Sequence, residues 1–166
     1  MSPSAEEIIK LFDLKPHPEG GYYSETYRAK GIIPHHTLPK GFKGDRNFST
    51  AIYYLLMEGQ QSKLHRLASD ELFHFYLGDP LTVVMIFPDR VEKVVMGQEI
   101  AKGQKLQWTI PAGCWFGGYL SPGSRFSLIG CTVAPGFDFA DFDANPNQDK
   151  LMRAFPHARE EILTFT

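Results

Sequence analysis

The sequence predicts a mainly β, antiparallel sandwich or barrel, built as one domain over residues 1–166. Three observations predict it. Apolar runs of strand length recur from Ser49 to about Phe139, and Gly and Pro turns separate them. No helical periodicity intervenes over that stretch. A chain of 166 residues is also long enough to bury one sizeable core.

Taken in order, Ser4-x-x-Glu7 is a capping box ahead of Ile8, Ile9, Leu11 and Phe12. It predicts a short amphipathic N-terminal helix, ended by Pro16 and Pro18. Gly20-Gly21 then opens an extended segment, Tyr22 to Arg28. Residues 29–45 are rich in Gly, Pro and Lys around His35-His36 and read as a long exposed loop. Thr50 to Met57 and Leu81 to Phe87 are continuous apolar strands. Pro88-Asp89-Arg90 turns the chain into a return strand, Val91 to Met96. Lys105 to Ile110 and Phe126 to Val133 add two more. From Asn147 to Leu163 the pattern is helical, broken at Pro156, so short C-terminal helices are expected.

Composition narrows the function. Apolar residues at 43% and charged residues at 22% fit a soluble globular protein. A formal net charge of -2 with scattered basic residues offers no footprint for a nucleic-acid polymer. There is no polybasic amphipathic stretch and no apolar run near the ~20 residues of a membrane span. The N-terminus lacks the basic and apolar regions of a secretory signal, and Cys114 and Cys131 are too few for a disulfide framework. A cytoplasmic protein with reduced thiols is expected. Thirteen Phe, seven Tyr and two Trp point to an aromatic core, with an aromatic-lined cleft as the alternative.

The chemistry centres on a spacing, Gly59-x5-His65-x5-Glu71-x6-Gly78, which sets a histidine and a carboxylate at matched depth on two strands joined by a tight turn. Alternation puts Lys63 and Leu67 on the face of His65. It puts Phe73, Phe75 and Leu77 on the face of Glu71, and turns Leu72, His74 and Tyr76 outward, toward a second sheet or a partner subunit. A His and a Glu in an apolar cavity perturb each other strongly and suit metal ligation or proton transfer; a structural hydrogen bond in the core is the plain alternative.

This spacing resembles the first motif of the cupin superfamily, G-x5-H-x-H-x3-E-x6-G, with Leu67 where the second His would stand. Pro111-Ala112-Gly113 resembles the start of the second motif, with Phe116 in the His place and Leu120 in the Asn place. Longer stretches, Pro18 to Arg28, Ser69 to Tyr76, Pro111 to Phe116 and Val133 to Phe139, look like the uncharacterised cupin-5 group. The resemblance implies a double-stranded β-helix of jelly-roll form, a homodimer, and no established activity. It is similar in plan to metal-free sugar-nucleotide epimerases such as dTDP-4-dehydrorhamnose 3,5-epimerase, which use a cavity His as base.

Two of four family metal ligands are thus replaced by apolar residues, and a tight divalent site needs three or more protein ligands. No cofactor is expected; a divalent ion at His65 and Glu71 is the lesser alternative. The expected catalytic set is His65 as base, Glu71 orienting it and Lys63 as electrostatic partner for a developing enolate. The expected ligand-binding set is Arg66 for an anionic group, Trp115 and Phe116 for a flat ring, and Tyr27 and Phe73 as further walls. Metal-independent epimerisation or isomerisation of a sugar or nucleotide-sugar is the first reading. A non-catalytic small-molecule binding module and a metal-dependent cupin enzyme are the alternatives.

Overall fold

The computed structural model describes residues 3–144 and 146–166. Among them the chain forms helix α1 (Ala5–Leu11), then strands β1 (Lys15–Pro16), β2 (Tyr22–Arg28), β3 (Ile32–Ile33), β4 (Arg46–Asn47), β5 (Thr50–Met57) and β6 (Gln61–His65). Strands β7 (Asp70–Gly78), β8 (Leu81–Ile86), β9 (Val91–Met96), β10 (Gln107–Ile110), β11 (Trp115–Leu120) and β12 (Phe126–Ala134) follow, then α2 (Gln148–Ala154) and α3 (Arg159–Phe165). The fold is the mainly β, antiparallel jelly-roll barrel expected. One sheet runs β1-β2-β5-β12-β7-β10, the other β6-β11-β8-β9, and β3-β4 forms a small outlying pair.

The capping box closes as anticipated. Glu7 N–H donates to Ser4 Oγ, and Ser4 N–H donates back to Glu7 Oε2 at 2.8 Å, satisfying two free donors of the first turn. The helix stops well before Pro16, however, because Asp13 takes a left-handed backbone with φ 49°. Trp115 to Leu120, which the apolar runs do not mark as a strand, is a central strand with β6 on one side and β8 on the other.

Three apolar clusters hold the barrel. Between the sheets lie Leu56, Phe75, Leu81, Val83, Met85, Met96, Phe116 and Ile129. On the outer face of the four-stranded sheet, Leu64, Val84, Ile86 and Trp115 pack under Leu151, Ile162 and Phe165 from α2 and α3. Helix α1 covers part of the six-stranded sheet through Ile8 against Leu55 and Leu128. No helix among the described residues is long and apolar enough to cross a membrane.

The structure corrects the expected relation of His65 to Glu71. They do not sit on paired neighbouring strands. β6 ends in the four-stranded sheet and β7 begins in the six-stranded one, so the chain between them crosses the barrel. His65 lies opposite Phe116, whereas Glu71 lies opposite Ile110 and Val133. The corner is fixed by Gly113 N–H donating to the Leu67 carbonyl and Ser69 Oγ donating to the Pro135 carbonyl.

Candidate functional site

One end of the barrel is not filled by side chains and forms an open cavity of about 510 Å³, within the ~300–1,000 Å³ of ordinary small-molecule sites. β2, β5, β7 and β12 wall it, and the edge strand β6 closes one side with Ser62 and His65. Ser62 and His65 are three residues apart, a spacing that plain alternation would send to opposite faces. They share the cavity because β6 is bulged. Ser62-to-His65 spans the same length as Gly118-to-Phe116, so β6 carries one residue more than its partner. Gly117 permits this: a Cβ there would lie 2.6 Å from the Ser62 carbonyl oxygen.

The bulge also redirects Lys63. Its side chain is exposed and outside the cavity lining, and what it offers the site is its backbone. The His65 Nδ1–H donates to the Lys63 carbonyl at 2.7 Å, which fixes the proton on Nδ1. The same nitrogen lies 2.9 Å from Glu19 Oε2. Nε2 makes no hydrogen bond among the described residues, so it is the nitrogen left for chemistry.

Glu19 arrives from the loop between β1 and β2. The Lys63 amide, released from the ladder by the bulge, donates to the Glu19 carbonyl at 3.0 Å. Tyr54 Oη donates to the Gly20 carbonyl at 2.8 Å. Gly20 has φ 106°, and a side chain there would drive into the Gln61 carbonyl, so the Gly pair is what lets the loop press Glu19 against β6. Glu19 is 3% exposed. His17, from the same loop, stands edge-on to Tyr23, Tyr54 and Phe142. Its Nδ1 accepts from the Glu19 amide, so it is the neutral tautomer although Glu19 Oε2 lies 3.7 Å away.

Electrostatics follow from this burial. His17 is pushed down to about 4, first by desolvation and then by the charge on His65. Burial also disfavours charge on His65, but the Glu19 carboxylate, Glu71 and the Lys63 carbonyl together outweigh it and raise the imidazole above its ordinary value. Burial raises Glu19, with His65 opposing. Glu71 is pushed up to about 7 by burial; His65 opposes, Glu19 reinforces, and the Cys131 thiol opposes through a hydrogen bond. Burial pushes the Cys131 thiol well above its usual range, so it is no thiolate nucleophile at neutral pH. One oxygen of each acid, Glu19 Oε1 and Glu71 Oε2, is buried without a hydrogen-bond partner.

The mouth is framed by β2 and by an aromatic turn after β12. β2 has its own bulge: Thr26 is the extra residue, so Glu25 and Arg28 both reach the cavity despite their odd spacing. Phe137, Phe139 and Phe142 pack edge to face at 4.9–5.7 Å. That turn is anchored by Arg46, which forks onto Asp141; both side chains are 5% exposed.

Of the residues expected at the site, the structure brings His65, Glu71 and Phe73 to the cavity and lays the Phe116 ring against His65, centroids 3.9 Å apart. Trp115 faces the other way, into the cluster under α2 and α3. Arg66 lies over the outer Trp115 ring at 4.6 Å and pairs with Asp143 at 2.9 Å. Tyr27 is 55% exposed beside the β2 bulge. Lys63, Arg66, Trp115 and Tyr27 therefore lie outside the cavity lining, and Phe116 belongs to the core behind His65 rather than to the lining. Sequence reasoning missed Glu19, His17, Tyr54 and Cys131. The available signal was an acidic residue directly before two glycines, a carboxylate held where backbone must approach backbone.

The residues present do not fit a family-type divalent ion. Leu67 lines the cavity in the place of one ligand, and the Phe116 ring covers His65 in the place of another. Among the described residues no three His, Cys, Asp or Glu side chains are grouped to hold a metal.

The family model described as Cupin superfamily (DUF985) matches residues 6–145. An uncharacterized protein of Saccharomyces cerevisiae, YML079W, is 31% identical over 172 residues, covering 98% of this chain and 85% of that protein. A hypothetical protein from Leishmania major is 33% identical, with a TM-score of 0.89 over 99% of each chain. Oxalate decarboxylase of Bacillus subtilis shares the fold at a TM-score of 0.54 and 15% identity, over 91% of this chain and 37% of that one. With the barrel, the cavity and these likenesses together, the chain belongs to the cupin superfamily, in its DUF985 group.

Proposed function

We propose that this cupin binds a small sugar-like carbonyl compound in its cavity and moves a proton at the carbon beside the carbonyl, as a metal-independent isomerase or epimerase. The observation that carries the reading is the pair His65 and Glu71. Both are buried, both line one open cavity, and they come from facing sheets. Such chemistry needs a base at carbon and a proton donor at the carbonyl oxygen. Glu71, raised to about 7, takes the carbon-bound proton in its ionised form. His65, kept cationic by Glu19, donates from Nε2 to the oxygen, giving an enediol. Glu71 then returns its proton to the neighbouring carbon while the enediol hydroxyl that becomes the new carbonyl gives its proton back to Nε2 of His65, regenerating both groups. Epimerisation at the same carbon requires the enediol to turn over before Glu71 reprotonates it. Glu19 takes over the orienting role that sequence alone gave to Glu71.

The test is solvent deuterium incorporation into free aldoses and ketoses, followed by NMR. Wild-type protein is expected to exchange the carbon-bound hydrogen, and His65→Ala to lose about 10²–10⁴ of that rate. Exchange that survives His65→Ala places the chemistry elsewhere. A sugar that binds in a His65-dependent way without exchange turns the reading into a non-catalytic binding module.

The exposed side of the six-stranded sheet fits a homodimer. Tyr53, Tyr76 and His74 form an aromatic row there, and His74 Nε2 lies 3.1 Å from Thr132 Oγ1. Analytical ultracentrifugation of wild type and Tyr76→Glu tests it: a monomeric wild type rejects the dimer.

A further inference from the structure

The charge lining the cavity bears on which sugar enters. We propose that the ligand is uncharged and rich in hydroxyls, a free sugar without phosphate, nucleotide or acid group. This rests on the ligand-site reading above and narrows its substrate class. The lining carries five carboxyl groups, from Asp13, Glu19, Glu25, Glu71 and Asp138, against the cations Lys15 and Arg28. Arg28 is not free to receive an anion, and Lys15 stands at the solvent-exposed edge of the lining. Arg28 gives Nε and Nη2 to the two oxygens of Glu25 at 2.9 and 2.7 Å, Nη1 to Asn47 Oδ1 at 2.8 Å, and Nη2 also to the Phe137 carbonyl at 3.2 Å. Those bonds use four of the five N–H groups a guanidinium owns. Lys15 is 74% exposed and lies 3.8 Å from Asp13.

Deeper in, the charge of His65 is balanced by Glu19, and its Nδ1 is bound there and to the Lys63 carbonyl, which leaves Nε2 as a single donor for a ligand oxygen. The remaining basic side chains nearby are taken up outside the lining, Arg46 by Asp141 and Arg66 by Asp143. A phosphate entering this cavity meets like charge without a bidentate donor to offset it. A hydroxyl-rich ring meets the opposite conditions. The carboxylates, Thr50, Ser24 and Ser62 accept its O–H groups, and Tyr23, Phe73, Phe137 and Phe142 offer flat faces to its C–H side.

The charge argument is tested by releasing the guanidinium. Glu25→Gln removes the carboxylate that holds Arg28, at a surface-exposed position where folding is not at stake. Wild type and variant are titrated calorimetrically with inorganic phosphate, glucose 6-phosphate and fructose 6-phosphate. Wild type is expected to show no binding at millimolar concentration. The variant is expected to gain at least about tenfold, and Glu25→Gln/Arg28→Gln to lose that gain. Wild-type protein that binds any of these anions as tightly as the variant overturns the proposal, and so does a variant without a gain. In the deuterium assay, exchange into a sugar phosphate by wild type would sink the uncharged class while leaving the proton-transfer reading standing. Absent exchange with every sugar would do the reverse.

Discussion

Two parts of this barrel, the strands β8, β9 and β11 and the strands around the cavity, differ in how intact their ladders are. β8, β9 and β11 pair residue for residue without a shift from Trp115–Ile86 to Leu120–Leu81 and from Leu81–Met96 to Ile86–Val91. β8 and β11 are packed on both faces, against the barrel interior and against α2 and α3, β9 is packed on its inner face through Val94 and Met96, and none of the three lines the main cavity. The slips fall on strands that wall the cavity, between β6 and β11, between β2 and β5, and, farther along β7, between β7 and β12, although the β5–β12 wall itself pairs without a shift. Each slip costs ladder hydrogen bonds and bends the strand. In return the β6 and β2 slips bring pairs at odd spacing, Ser62 with His65 and Glu25 with Arg28, to one surface. Regular pairing builds the dry half of the barrel, and irregular pairing aims the polar groups of the other half.

Three measurements break or sharpen that contrast. The largest effect belongs to the dry half. Met85→Ala removes a 1% exposed side chain from the unshifted strands and should cost about 2–5 kcal/mol in urea unfolding. Activity per folded molecule should stay as in wild type; a loss at temperatures where the variant is folded would show that the two halves are not separable.

Next comes pH. The Glu71 carboxyl is raised from 4.5 to about 7 in the folded chain. A raised pKa stabilises the fold below the unfolded value, and that contribution fades as pH climbs through the folded one. Between pH 5 and pH 8 wild type should therefore lose stability relative to Glu71→Gln, on the order of 2 kcal/mol. His17, lowered from 6.5 to about 4, gains stability as pH rises to about 6.5 and does so in both proteins, so it cancels; the difference reports Glu71 together with the part of the His65 shift that Glu71 causes. Parallel pH curves for the two proteins would place Glu71 in water rather than in a closed wall.

The smallest effect compares adjacent glycines of β11. A Cβ on Gly117 would lie 2.6 Å from the bulged Ser62 carbonyl, whereas one on Gly118 would lie 3.1 Å from the Thr82 carbonyl in the regular pairing with β8. Gly117→Ala should cost about 2 kcal/mol and Gly118→Ala about half that. Equal costs would mean that the bulge imposes no special demand on its neighbour.

Much of the fold was legible before any coordinates. The apolar runs from Thr50 to Met57 and from Leu81 to Met96 became β5, β8 and β9, and the Ser4–Glu7 box became the start of α1. β11 was not legible, because Gly117-Gly118 interrupts its apolar run for a reason, the crowding of β6 against it, that only the structure gives. At the site, His65, Glu71 and Phe73 were legible from spacing and period. Lys63 was placed on the wrong face because a bulge reverses parity without leaving a mark in composition. Glu19 was not legible as the partner of His65, since the two are 46 positions apart and are brought together by backbone contacts that a Pro-Glu-Gly-Gly turn does not advertise. Arg66 and Trp115 were assigned to the ligand, yet they hold each other on the outer surface.

The surplus residue in β6 also changes how the interval from Gly59 to His65 should be measured. That interval is five residues in this chain, but only four of them advance the strand relative to its neighbour. Deleting the surplus residue at Lys63 would restore plain alternation and leave His65 facing the cavity, but it would remove the carbonyl that holds Nδ1 and the amide that holds the Glu19 loop. In relatives, a one-residue gap drawn there is no neutral length difference: it erases the bulge whose backbone grips Glu19 and His65, the residues on which the chemistry rests.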